Sequence, residues 1–355
     1  MLSDLLKHCL DDLETRIDSA QEESLINEWI EFSAGKFKGD VFSPRRARAA
    51  KAGCEWPVIR INEALDDFDK MALQQYAGCS QQLAEATGAP MAVRANYGTS
   101  ILPLLFGVQP FVMPDETNTL PTSVPLHDKE AVRKIVKAGV PPLNIGYGPR
   151  VFEMGERFQA IGRQYPKIGK YVHVYHPDTQ GPLDISEVVW GSEIFLAFYE
   201  DARLVMDMLD LVTQTYIAFM RAWERIVPFC NGFNAHWGVY HKGAIMLRSD
   251  SAMNLSGELY EEYVRPYDQR LLEEFGGGAI HFCGRGDHFI GSMGQMRGLF
   301  AINLSQPHLN NMETIFTSTV DRGINILDLA PAAVRDALGK GRDLHGRIHC
   351  SGWRQ

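Results

Sequence analysis

The sequence has no long apolar run. Its most apolar stretch, Ile101 to Met113, is interrupted by Pro103 and Pro110. That is too short and too broken to cross a bilayer, which takes about 20 consecutive apolar residues. There is no excess of positive charge either. The formal net charge is −9, which sets the chain against phosphate backbones and argues against nucleic acid as a partner. A disulfide framework is also missing. The six cysteines, at 9, 54, 79, 230, 283 and 350, are scattered, unlike the dense pattern of a small secreted domain. The opening stretch, MLSDLLKHCLDDLETRID, reads as an acidic amphipathic helix without the basic start and apolar centre of a signal peptide. A reducing cytoplasm with free thiols is the expected setting. No repeat of about 20–50 residues is visible, which argues against a solenoid.

What is present is an ordinary globular composition, 355 residues with 45% hydrophobic and 22% charged, enough for one large domain or two small ones. Residues 1 to 85 read as mostly helical, with one interruption from Ala34 to Pro57 rich in Gly, Pro and Arg. Arg45, Arg46, Arg48 and Lys51 in that interruption read as a solvated face. The second half alternates. Tyr171–Tyr175, Ala244–Arg248, Ala279–Cys283, Leu299–Leu304, Ile324–Leu329 and Arg347–Cys350 read as short strands. Helical patterns lie between them, the longest over residues 201–227, with apolar positions from Leu204 to Val227 spaced at 3 and 4. Ser256 is a plausible N-cap for a helix running to Phe275 and bent at Pro266.

Strand and helix in alternation predict a parallel sheet covered by helices, the α/β class. Two details favour a closed (β/α)₈ TIM barrel over an open sheet. No G-x-G-x-x-G follows a strand. Chemically able residues recur just after strands (His176, Asp250, Cys283, Gln306, Cys350), as on the catalytic rim of a barrel. The expected organisation is a helical extension over 1–85 packed on a barrel over 86–355, one domain overall.

His281 and Cys283 stand two apart on one strand, so both side chains point to the same face. Imidazole and thiolate suit zinc, which needs a third protein ligand. Cys350, at the end of another strand, is the natural candidate. The alternative is plain: a single strand cysteine is more often a small buried hydrophobe, and a single histidine a hydrogen-bonded core residue.

Ile280-His281-Phe282-Cys283-Gly284 resembles the His-x-Cys-Gly signature of the zinc-dependent methyltransferases in the uroporphyrinogen decarboxylase superfamily, the methylcobamide:coenzyme M methyltransferases among them. Thr179-Gln-Gly-Pro-Leu-Asp-Ile185, and Asp250 with Leu255 to Tyr267, resemble further segments of that group. The resemblance covers roughly residues 90 to 352. It implies a (β/α)₈ barrel, one zinc per chain held by His281, Cys283 and Cys350, and methyl transfer to a small thiol. It also implies a methyl donor on a separate corrinoid protein, and a homodimer as the common assembly. The arginine-rich N-terminal signature of the decarboxylases proper is absent. Where the methionine-synthase relatives carry a ligating Glu, this chain has Ser305, with Gln306 and His308 close by.

Asp250 and Tyr267 are the candidate catalytic residues. Asn96, Tyr97, His176, Gln180, His236 and Gln306 are candidate substrate contacts, with Asp178 a turn former or contact beside them. His236, Trp237, Tyr240 and His241 are expected in a loop, as a recognition wall or as packing. Two other functions remain consistent with the residues: a metal-free lyase acting on a carboxylated small molecule, and a ligand-binding barrel without activity.

Overall fold

The computed structural model describes residues 2–230 and 232–353. Two parallel sheets carry the fold. Six strands form one: β1 (Val41–Phe42), β4 (Ile245–Arg248), β5 (Gly278–Phe282), β6 (Leu299–Leu304), β7 (Asn325–Ile326) and β8 (Ile348–His349), in the order β1-β8-β7-β6-β5-β4. A second sheet pairs β2 (Ala92–Val93) with β3 (His173–Val174). The class expected from the alternation, α/β with a parallel sheet, is observed.

Side-chain atoms bridge the edges where the ladders stop. Between β3 and β4, the imidazole of His176 takes the place of a backbone partner: Nε2 accepts the Met246 N–H at 3.1 Å. Gly181 N–H then donates to the Arg248 carbonyl at 2.8 Å. Near β1 and β2, three consecutive carbonyls ahead of β2 are met by side chains. Arg46 donates to Thr87 O and Ala89 O at 2.7 and 2.9 Å, and Trp29 Nε1 donates to Gly88 O at 2.8 Å. Buried carbonyls without partners would each cost about 1–3 kcal/mol, so these contacts hold the strand ends.

Arg46 is therefore not part of a solvated face. It is 4% exposed and forms a fork on Glu22, itself 1% exposed. Nε and Nη2 lie 2.6 and 2.7 Å from the two carboxylate oxygens. The N-terminal segment is equally part of the sheet. Val41 and Phe42 pair with Ile348 and His349, so the boundary expected at residue 85 does not separate a helical extension from the sheet.

The helices follow the apolar spacing. α1 (Asp4–Arg16) and α2 (Ser19–Ser33) open the chain, capped by the side chains of Ser3 and Asp18. α3 spans Phe68–Ala84 and α4 spans Pro182–Trp190. α5 (Ala202–Ile226) buries every position from Leu204 to Trp223 that the spacing assigns to its apolar face. The helix after Ser256 breaks at Val264 into α6 (Gly257–Tyr263) and α7 (Arg265–Glu274). Pro266 has no N–H to continue the ladder, so the break falls just before it. α8 (Met312–Ser318) and α9 (Pro331–Gly339) follow β6 and β7. No helix among the described residues is long and apolar enough to cross a membrane.

Strand alternation sorts the core into two. Ile280, Ile302, Ile326 and Ile348 pack outward with the helices. Met246, Ala279, Ala301 and Leu327 pack on the other face, with Leu25, Trp29 and Phe32 of α2. A hairpin, Phe233–His236 with Val239–Lys242, adds Ala235, Val239 and Tyr240 to this inner cluster. The segment read as a loop is thus a hairpin that fills the interior.

Candidate metal centre

The inner face of β4, β5 and β6 changes character one step along the strands. Met246, Ala279 and Ala301 are in register and apolar. Two residues on, Arg248, His281 and Asn303 are in register on the same face. Just beyond the strand ends come Asp250, Cys283 and Ser305. An apolar floor thus carries a polar layer and, above it, a layer of ligand-type groups.

Asp250, His281 and Cys283 place Oδ1 or Oδ2, a ring nitrogen and Sγ within 4.8 Å of one another. His281 Nε2 lies 3.3 Å from Cys283 Sγ and 3.4 Å from Asp250 Oδ1. Asp250 Oδ1 also accepts the Cys283 N–H at 2.8 Å, and Cys283 Sγ is 3.5 Å from Ser305 Oγ. Gly284 turns the chain away at φ +73°, and a Cβ there would lie 2.5 Å from Met253 Sδ. Its N–H is held by Gln306 Oε1.

The tautomer of His281 is fixed by its neighbours. Asn303 Nδ2 donates to Leu327 O at 2.7 Å, which leaves Oδ1 as the atom facing His281 Nδ1. Nδ1 therefore carries the proton, and Nε2 presents a lone pair to the thiol and the carboxylate. Burial pushes the His281 pKa down against the opposing pull of Asp250 and Asn303. It also pushes the Cys283 thiol up. Three electron-pair donors converge on one point, and the histidine is oriented through its second nitrogen. That is the donor set and outer-shell support of a cation site, so the residues fit zinc. Removing the support is expected to weaken it. Asn303→Ala should lower zinc affinity by roughly 10–100-fold, read by competition with a chelator. Unchanged affinity would mean that the Asn303 contact does not orient a ligand.

Cys350 does not join this group. Strand alternation puts His349 on the inner face, its ring tilted at 50° to that of Trp29 with the centroids 4.5 Å apart. Cys350 turns outward into the cluster shared with the helices and is 0% exposed. Burial, with Asp328 beside it, pushes its thiol up to about 11.

Charged groups line the layer below. Asp178 bridges Arg94 and Arg248 at 3.0 and 2.9 Å, and Arg248 also reaches Asp250 at 3.2 Å. Burial works against the Asp178 carboxylate, but the two guanidiniums overcome it and hold its pKa low. Trp237 at the hairpin tip has φ 46°, unusual for a bulky residue. Its ring stands 5.2 Å from that of His281 and 5.5 Å from the Arg248 guanidinium, so it walls the site. Asp184 accepts the Asp250 and Ser251 N–H groups, both at 2.9 Å, and fixes the loop carrying Asp250.

The remaining candidates divide. Asn96 accepts from Arg94 Nε at 2.9 Å and supports the charged layer. Tyr97 is fully buried with an unpartnered hydroxyl. His176 is occupied on both nitrogens, by Pro177 O and Met246 N, so it braces the strands. Gln180 is buried, its Oε1 without a partner. Tyr267 donates to Met206 O and packs among the outer helices, away from the cluster. His241 Nδ1 faces Lys242 O, so His236 Nδ1 donates to His241 Nε2 at 2.8 Å. His236 Nε2 is left buried without a partner. Arg94, Arg248 and Asn303 escaped the sequence reading. Two of them carried a usable signal, a polar residue two places from a ligand or an inward alanine on the same strand.

These buried imidazoles make stability pH-dependent. Burial pushes His173, His176, His241 and His349 down to about 4, and it also holds His236 well below its ordinary value. An unfolded histidine takes up a proton near pH 6.5, so stability falls as pH drops from about 6.5 to 4. Burial raises Asp184 to about 7, with Asp250 adding to it, and raises Asp268 too. These two act in the opposite sense over much of that window, because the folded state keeps protons that the unfolded chain has released. The histidines outnumber them, and each net proton contributes about 1.4 kcal/mol per pH unit. Urea midpoints at pH 7, 6 and 5 are expected to decline steadily; a flat series would contradict the buried neutral histidines.

No protein-family model matches the chain, and no curated protein does. A solved structure is similar: a methyltransferase from Methanosarcina mazei, over 92% of this chain and 93% of its own, at 15% identity and a TM-score of 0.64. At that identity the likeness is one of fold.

Proposed function

We propose that this chain is a zinc-dependent methyltransferase acting on a small thiol. The observation that carries the reading is the convergence of the His281 Nε2 lone pair, Cys283 Sγ and Asp250 Oδ1 at the strand ends. The His-x-Cys-Gly resemblance and the fold shared with a methyltransferase support it. The finer architecture is part of the proposal: the six-stranded and two-stranded parallel sheets form one (β/α)₈ barrel, joined at the edges that His176 and Arg46 bridge.

In this reading His281, Cys283 and Asp250 hold the zinc. When bound, zinc lowers the pKa of an acceptor thiol and so supplies a thiolate at neutral pH. Asn303 keeps the His281 proton on Nδ1. Asp184 and Gln306 hold the backbone on either side of the ligand layer through Asp250 N–H and Gly284 N–H. Trp237 covers His281 and limits water on that side. The methyl donor is taken to be a corrinoid on a separate protein, as the resemblance implies.

A second reading keeps one observation in its favour. Arg94 and Arg248 border the inner layer, and Arg248 Nε is buried without a partner. That suits a carboxylated ligand and a metal-free lyase. The two separate on metal dependence. Purified protein given methylcobalamin and 2-mercaptoethanol is expected to methylate the thiol, to lose that activity to a chelator and to regain it with zinc. Chelator-resistant turnover, or none with zinc restored, would count against the methyltransferase.

A further inference from the structure

Ser305, at the edge of the ligand layer, lines a cavity of about 800 Å³ between α8 and α9. Ser305 Oγ is also 3.5 Å from Cys283 Sγ, so the cavity begins one contact away from the cluster. Its volume lies within the range of small-molecule sites, about 300–1,000 Å³.

The lining states what the cavity takes. Phe316, Met312, Pro307, Ala333 and Ala337 give it apolar walls. The charged groups there are already paired. Arg342 is bound to Glu313 and Asp321 at 3.1 and 2.7 Å, and Lys340 to Asp336 at 2.7 Å. Asn310 has both amide ends occupied, accepting from Gly286 and Asp287 and donating to Gly284 O and Gln306 O. No unpaired charge remains on Arg342, Lys340, Glu313 or Asp336 to select an ionic ligand. The His308 ring and the Asn311 amide, whose Oδ1 accepts the Thr314 N–H, add polar groups to the lining that suit a hydroxyl.

We infer that this cleft binds the neutral, apolar tail of the thiol acceptor, with the thiol at the Ser305 end beside Cys283. The inference rests on the thiol-methyltransferase reading and gives it a substrate class: an uncharged thiol on an aliphatic chain. Burying each methylene is worth about a fourfold gain in affinity.

The test titrates zinc-loaded protein calorimetrically with 2-mercaptoethanol, 4-mercapto-1-butanol and 6-mercapto-1-hexanol. Affinity is expected to rise about fourfold per added methylene. Ala333→Trp, and separately Met312→Trp, fill the cleft and should flatten the series while leaving zinc content and 2-mercaptoethanol affinity unchanged. A flat series in the wild type overturns the inference. So does a length dependence that survives both tryptophans, or a change of oligomeric state on filling the cleft, which would make it a contact between copies. 1-Hexanol against zinc-free protein separates the inference from the reading beneath it. Hexanol binding that Ala333→Trp removes supports the apolar cleft even if no metal is taken up. Absence of hexanol binding sinks the cleft even if short thiols are methylated.

Discussion

Replacing Arg46 with alanine is expected to lower the unfolding free energy by about 3–5 kcal/mol. The guanidinium is one of the most deeply held groups in the chain. It forks onto Glu22 and satisfies two carbonyls ahead of β2. Removing it strands a carboxylate that is 1% exposed and leaves Thr87 O and Ala89 O without partners. Exposed pairs elsewhere, such as Lys340–Asp336, are worth at most about 1 kcal/mol. The contrast is measured by urea denaturation of Arg46→Ala beside Lys340→Ala. Pairing Arg46→Met with Glu22→Leu should restore part of the loss, because no buried charge is then stranded. An Arg46→Ala change below about 1 kcal/mol would show that the fork does not hold the β1 and β2 region together.

The second large effect is expected at the ligand layer. His281→Ala and Cys283→Ser each remove a donor, so zinc affinity should fall further than the roughly 10–100-fold expected for an outer-shell partner. Thiol methylation should fall with it. The pH dependence has a definite sign. Burial holds the Cys283 thiol protonated in the metal-free protein, so zinc uptake must release that proton. Affinity is therefore expected to drop about tenfold per pH unit as pH is lowered below the thiol pKa. Methylation by Cys283→Ser at the wild-type rate would remove this residue from the site.

The sequence was most legible where side chains repeat with a period. β6 falls at the residues read as a strand, Leu299–Leu304, and α5 buries the apolar positions that its spacing marks. The i, i+2 spacing of His281 and Cys283 likewise put both on one face. Short strands were harder. β1 and β8 have two residues each, too few to show alternation, so sequence could not say whether His349 or Cys350 turns inward. The cysteine is the better zinc ligand, yet the histidine holds the inner face. Arg46 was misread for a different reason. An arginine among glycines and prolines looks solvated, and its partner Glu22 lies 24 positions earlier, a contact no local pattern encodes. Asn303, like Arg248, was an avoidable omission. A lone polar residue in Leu-Phe-Ala-Ile-Asn-Leu, in step with the inward Ala301, is a signal in itself.

Metal content tests the central claim most directly. Wild type, Cys283→Ser, Asp250→Ala and Cys350→Ser would be purified without added metal, loaded with zinc, dialysed and assayed for metal per chain. Cobalt substitution would then report thiolate coordination through its charge-transfer absorption. The account predicts about one metal ion per wild-type chain with a cobalt–thiolate band. It predicts loss of both in Cys283→Ser, a marked loss of metal in Asp250→Ala, and retention of both in Cys350→Ser. No metal in the wild type, or a loss in Cys350→Ser as complete as in Cys283→Ser, would contradict it.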